Sequence, residues 1–241
     1  MKEKENYESL FDENIEESWE LDIPNTSNNE EFHDSENDQY LVPIFAKEND
    51  TIIFRGNGVI VGSYLVTAAH VAQTEQHENY EVIWYKYEGE LLRVSDENVA
   101  HDGRNVGVIE GDNDDVIIYK LKNVIGSFVC NEEEVCEKMK VFAYPCKYID
   151  GKVRFGGGIC NISSLEVKSG KKDNTIWKNC FKVGYPFRCG FGDSGSAVFV
   201  KNNLYGILIE MYIGGVYGKV IDARYIKKCI DKYELEQSQK S

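Results

Sequence analysis

Short runs rich in β-branched and aromatic residues recur along the chain between clusters of Gly, Asn and Asp. They are "TIIF", "GVIVG", "YEVIWYKY", "ELLRV", "VGVIEG", "DVIIYKL", "MKVFAYP", "KVRFGGGICNI", "FKVGYP", "SAVFV" and "YGILIEM". Runs of this length bounded by turn formers have the spacing of strands rather than the 3.6-residue period of a helix. Only "ARYIKKCIDKYELEQ", near the end, sets charges between apolar positions at helical spacing, which predicts a helix over about residues 222–236. The pattern therefore predicts an all-β chain closed by one C-terminal helix. The stretch "KNVIGSFVCNEEEVCEK", residues 122–138, reads either as a connection between two β units or as a solvated loop inside one.

The first 39 residues follow a different pattern. They hold fourteen Asp and Glu against two Lys, a net of −12, which leaves −2 of the total −14 for the rest of the chain. With only scattered apolar residues, this segment cannot bury enough surface to offset its ordering entropy and is expected to be disordered. About two hundred residues remain, enough for one sizeable β unit or two small barrels sharing a cleft. The acidic balance argues against nucleic acid as a partner. No run of about eighteen apolar residues is present for a membrane span, and the opening "MKEKENYESLFDENIEE" lacks the apolar core of a signal peptide. Seven cysteines, odd in number and without a Cys-x-x-Cys pair, argue against a complete disulfide framework and against a metal knuckle.

Chemistry concentrates in "FRCGFGDSGSAVFV", Phe187 to Val200, where Ser194 stands between glycines and ahead of an apolar run. A nucleophilic serine needs an exposed hydroxyl and small neighbours. Gly192 and Gly195 supply them, and the amides of Gly192 and Ser194 can converge on one oxygen as an oxyanion hole. A serine hydroxyl is a weak nucleophile until a base takes its proton, so a histidine and an orienting carboxylate are required. Of the four histidines, His33, His77 and His101 lie among polar or loop-like residues, whereas His70 ends "GSYLVTAAH", an apolar strand running into two alanines. The carboxylate candidate is Asp115, at the mouth of the "DVIIYKL" strand, with Asp114 as a rival one residue away. The alternative for each fragment is structural: a polar turn for the serine, a packed histidine at a strand end, a turn aspartate.

Together "TAAH", "DVIIYKL" and "GDSGSAV", in the order His, Asp, Ser, resemble the trypsin-like (chymotrypsin-fold) serine peptidases. The likeness extends to "YGILIEMYIGGVYGKVIDARYIKKCI", which is similar to the family's closing hairpin and terminal helix, and so covers about residues 40–233. It implies two antiparallel six-stranded β-barrels, the first over about 40–125 and the second over about 135–220, with the active site in the crevice between them. It implies a serine endopeptidase that acts on polypeptides through an acyl-enzyme and needs no cofactor. His70 would be the base, Asp115 the orienting acid and Ser194 the nucleophile. A trypsin-like fold that binds peptides or partners without cleaving them is the alternative, but it would have no reason to keep all three residues.

The chain departs from secreted members of the family at several positions. Val71 stands where they place a cysteine after the histidine, and no earlier cysteine is available as its partner, so the first barrel is expected to lack a disulfide. A reducing compartment, most simply a bacterial cytoplasm, is the corresponding expectation, with a Cys180–Cys189 pair across the specificity loop only under oxidation. No Ile-Val-Gly-Gly-like activation sequence is found, although Asp193 is retained. Either another cation serves Asp193, or processing near "QYLVPIF" by an activating protease frees an amino terminus, or a regulatory partner orders the pocket. The pocket-floor position, six before the nucleophile, is Arg188. It would select an acidic side chain in the substrate unless Glu210 neutralises it. Finally, Lys168, Lys171, Lys172, Lys178 and Lys182 precede the specificity loop and offer the acidic N-terminal segment a basic surface over the cleft.

Overall fold

A computed structural model describes residues 35–48, 51–74, 76, 78–104, 115–123, 126–149, 152–168, 176–184, 192–211 and 217–240. After a 3-10 turn at Ser35–Tyr40 come β1 (Leu41–Glu48), β2 (Thr51–Val61), β3 (Tyr64–Thr67), β4 (Val82–Tyr87), β5 (Glu90–Ser95), β6 (Val99–Asp102) and β7 (Ile117–Lys120). They are followed by β8 (Val129–Cys130), β9 (Lys140–Ala143), β10 (Cys146–Ile149), β11 (Lys152–Phe155), β12 (Gly158–Ser164), β13 (Val167–Lys168) and β14 (Ile176–Trp177). The chain ends with β15 (Cys180–Gly184), β16 (Ala197–Val200), β17 (Asn203–Met211), β18 (Tyr217–Asp222) and α1 (Ala223–Ser238).

The strands form two barrel-like sheets that differ in closure. The C-terminal sheet runs β16-β9-β12-β15-β18-β17 and closes through β16 pairing with β17, a ring of six, with β8 added in parallel to β17. The N-terminal sheet runs β5-β4-β1-β2-β3-β7-β6, seven strands rather than six, and its end strands are not paired with each other among the described residues. The Asp96–Asn98 turn joins those ends, with the Ser95 amide donating to Asn98 Oδ1 at 2.9 Å.

Alternation along the strands explains how the core divides. Val141 and Ala143 of β9, Cys160 and Ile162 of β12, Phe181 and Val183 of β15, and Val198 of β16 point into the closed ring. The intervening Phe142 and Phe199 turn to the other face, where the Phe199 ring lies 5.1 Å from Phe128 and 5.6 Å from Phe142, centroid to centroid. The segment around Phe128 also crosses from one sheet to the other: Phe128 bridges to Val61 of β2, and Val129–Cys130 pairs with β17.

Several elements escape the periodic pattern. Leu41–Glu48 is a strand although Pro43 removes a ladder donor, because β1 is buried over most of its length between β2 and β4. His101, expected in a loop, lies in β6 opposite Ile118. "TIIF" and "GVIV" belong to one strand, β2, and the Gly-Asn-Gly between the two runs is strand backbone, not a turn, while "VGVIEG" lies outside the described residues. Among the described residues no helix is long and apolar enough to cross a membrane.

Candidate active site

The pairing of β3 with β7 sets Thr67 opposite Ile117, and this register brings Asp115, two residues before β7, alongside the 3-10 turn Ala69–Ala72 that follows β3. The Ala69 amide donates to the Asp115 carbonyl at 3.2 Å and the His70 amide to Asp115 Oδ1 at 3.0 Å. The aspartate thus holds the histidine's backbone as well as its ring. His70 Nδ1 lies 2.8 Å from Asp115 Oδ2, and His70 Nε2 lies 2.8 Å from Ser194 Oγ. An ionised carboxylate only accepts, so Nδ1 carries the proton and Nε2 of the neutral ring is left to accept from the serine hydroxyl. His70 stays 44% exposed at its side chain, open to a substrate. The sequence-predicted His70, Asp115 and Ser194 are therefore brought together in one hydrogen-bonded chain, while the rival Asp114 lies outside the described residues, as do His33 and His77.

Burial depresses the His70 pKa, but the hydrogen bond and charge of Asp115 outweigh it and raise the value above the ordinary 6.5. Arg55 opposes this rise and Glu210 reinforces it. Arg55, on β2, donates to the Gln73 carbonyl at 3.3 Å and lies over the Tyr80 ring.

Ser194 sits on the turn before β16. Gly195 has φ +84°, and a Cβ there would run into the Asn57 carbonyl and come within 2.7 Å of Thr67 Oγ1, so only glycine fits. Gly192, the other expected oxyanion residue, also has positive φ, +86°. Asp193 is buried, 2% exposed, and its carbonyl accepts from the Ser196 amide and hydroxyl. Val71, where secreted relatives are expected to place a cysteine, packs on Gly56: its Cγ2 lies 2.8 Å from where a Cβ of Gly56 would stand.

Other sequence expectations fall on residues that are not described. Arg188, Cys189, Lys171 and Lys172 lie outside the described residues. Glu210, the residue expected to neutralise Arg188, pairs with Lys219 Nζ at 2.5 Å. Cys130 is a buried thiol whose pKa burial pushes up to about 12, so it is no nucleophile near neutral pH.

Sequence inspection missed Asn57. Its neighbours, Gly56 and Gly58, signal only a break between strands. In the structure it touches both ends of the Gly192–Ser194 turn.

The chain shares its fold with solved proteases. These include the active form of the Rv3671c protease from M. tuberculosis, at 14% identity over 82% of each chain with a TM-score of 0.61. The MamO protease domain from Magnetospirillum magneticum matches at 17% identity, over 79% of this chain and 95% of that one, with a TM-score of 0.54. Kallikrein-related peptidase 10 matches at 15% identity, over 82% of this chain and 96% of that one, also with a TM-score of 0.54. No curated protein matches the sequence. The family model described as Trypsin matches residues 35–222, most of the chain, and the chain therefore belongs to the trypsin family.

Proposed function

We propose that the protein is a serine endopeptidase. The observation that carries this reading is the continuous chain Asp115 Oδ2, His70 Nδ1, His70 Nε2 and Ser194 Oγ, with both contacts at 2.8 Å. Ser194 Oγ attacks a substrate carbonyl carbon while its proton passes to His70 Nε2, and the carbonyl oxygen becomes an oxyanion facing the N–H groups of Gly192 and Ser194. The tetrahedral intermediate collapses. The C–N bond breaks, the His70 proton goes to the leaving amine, and the acyl group remains on Oγ. Water then gives its proton to His70 and its oxygen to the ester carbon, and Ser194 leaves with the proton. Asp115 holds the tautomer throughout and stabilises the imidazolium.

The substrate pocket is assigned an acidic preference through Arg188. Glu210, which would cancel that charge, already has a cation in Lys219. The acidic N-terminal segment acts as a restraint that a partner or an activating protease relieves.

A fluorophosphonate probe tests the reaction class: the full-length protein is expected to label at one serine and Ser194→Ala not at all. No labelling of the folded wild type would leave a restrained zymogen or a peptide-binding module as the reading, and labelling of the protein without residues 1–34 separates the two. A peptide library run with the active protein tests Arg188, and preference for Lys or Arg before the cleaved bond would overturn the acidic assignment.

A further inference from the structure

Asn57 is 3% exposed in the middle of β2, and each of its polar groups has a partner. Its backbone N–H donates to the Ser194 carbonyl at 2.7 Å, and its side-chain Nδ2 donates to the Gly192 carbonyl at 2.6 Å. Oδ1 accepts from the Cys146 amide at 2.7 Å, and the Asn57 carbonyl accepts from Thr67 Oγ1 at 2.5 Å. One residue of the N-terminal sheet therefore grips both ends of the nucleophile turn and the start of β10.

Between the two carbonyls that Asn57 holds lie the Ser194 N–H and the Ser194 Cα from which Oγ projects. Gly192, at positive φ and without a Cβ, has little local restraint of its own, so the direction of its carbonyl must be set from outside. Only an amide side chain of this length fits the role. Aspartate keeps the acceptor for Cys146 but loses the donor to Gly192 and turns an oxygen toward a carbonyl. Alanine loses both, so the buried Cys146 amide and the half-buried Gly192 carbonyl each lose their bond to Asn57.

We infer that the Asn57 side chain is a positioning residue for the reaction: through the Gly192 carbonyl it holds the Ser194 amide and hydroxyl in reactive alignment with His70. This rests on the peptidase reading above. Displacements of about 1 Å in such an alignment cost up to about a hundredfold in rate, so the effect belongs in the bond-forming step and not in probe affinity.

The test is fluorophosphonate inactivation of the full-length protein, resolved into kinact and KI, for wild type, Asn57→Asp and Asn57→Ala. Asp222→Ala, which weakens the helix cap far from the turn, serves as a control for stability, and circular dichroism checks folding at the assay temperature. The expected result is kinact lowered at least about tenfold in both Asn57 variants with KI little changed, and kinact unchanged in Asp222→Ala. Wild-type kinact in folded Asn57→Asp overturns the inference. So does a loss that Asp222→Ala reproduces at similar stability, because it would then be a structural effect alone. Should Asn57→Ala not fold, Asn57→Asp decides, since it retains the bond to Cys146. If wild type labels neither as the full chain nor without residues 1–34, or Ser194→Ala labels equally, the peptidase reading has failed and this inference with it. Ser194-dependent labelling at equal rates in the Asn57 variants refutes this inference alone.

Discussion

His70 sits between groups that pull its proton affinity in opposite directions. Burial and the Arg55 charge lower its pKa, while Asp115 and Glu210 raise it, and the balance lies above 6.5. A protonated imidazole cannot accept the serine proton, so reactivity is lost as pH falls through this raised value. The rate of fluorophosphonate labelling should therefore show an acid limb with its midpoint above 6.5. Asp115→Asn removes the main raising influence, so the limb should shift to lower pH while the rate falls by orders of magnitude, on the order of ten-thousandfold. Arg55→Met should shift the limb the other way. A pH profile of labelling over several hours checks all three, and an unmoved limb in Asp115→Asn would mean that the acid is misassigned. At this scale the three side chains of the hydrogen-bonded chain, His70, Asp115 and Ser194, were legible as candidates, because each stands in a short motif. Arg55 and Asn57 were not, since their partners lie elsewhere in the chain.

The C-terminal helix was legible as an element, and its observed span, Ala223–Ser238, runs one residue inside the expected start and two beyond the expected end. It buries Ala223, Ile226, Cys229 and Ile230, a stripe at helical spacing. Asp222 caps it, accepting from the Arg224 amide at 2.8 Å and pairing with the Arg224 guanidinium. The helix reaches across to the N-terminal sheet, where the Tyr64 hydroxyl donates to Glu234 Oε1 at 2.8 Å. Asp222→Ala should lower stability by about 1–2 kcal/mol in chemical denaturation, and Asp222→Ser by less, as expected when a capping acceptor is lost or kept. Equal losses in the two variants would show that the ion pair with Arg224, not the cap, is what matters. Strand edges were less legible than the helix. β1 contains a proline and β2 a Gly-Asn-Gly, and both are strands because burial between neighbours overrides local preference.

At the scale of the molecule, the question is how the acidic N-terminal segment relates to the cleft. The Ser35–Tyr40 turn packs on the body: Asn37 is buried, and the Tyr40 ring lies edge-on to Phe128 at 6.1 Å. A truncation that tests the segment without disturbing this packing should therefore begin at Ser35. The version lacking residues 1–34 is expected to label and cleave faster than the full chain at low salt, with the difference shrinking at moderate salt as exposed charges are screened. Each exposed pair contributes little, under about 1 kcal/mol, so any restraint comes from many charges acting together on a tethered segment. Equal rates at every salt concentration would eliminate the restraint and leave the segment a solubilising role.

The order of amino acids alone carried the local features: strands for the described runs, the place of the C-terminal helix, and the short motifs that hold His70, Asp115 and Ser194 in that order. These follow from side-chain period, turn chemistry and motif neighbours, all carried within a few residues. Pairing at a distance was settled by the tertiary structure. It closed one sheet into a ring of six and, among the described residues, ordered the other as seven strands without such a closing pair. It chose Asp115 as the carboxylate that touches His70, 45 residues away. It joined Asn57 to Gly192 across 135 residues of chain. Hydrogen bonds of that reach depend on strand register and on how two sheets meet, and neither is written in the neighbours of the residues they join.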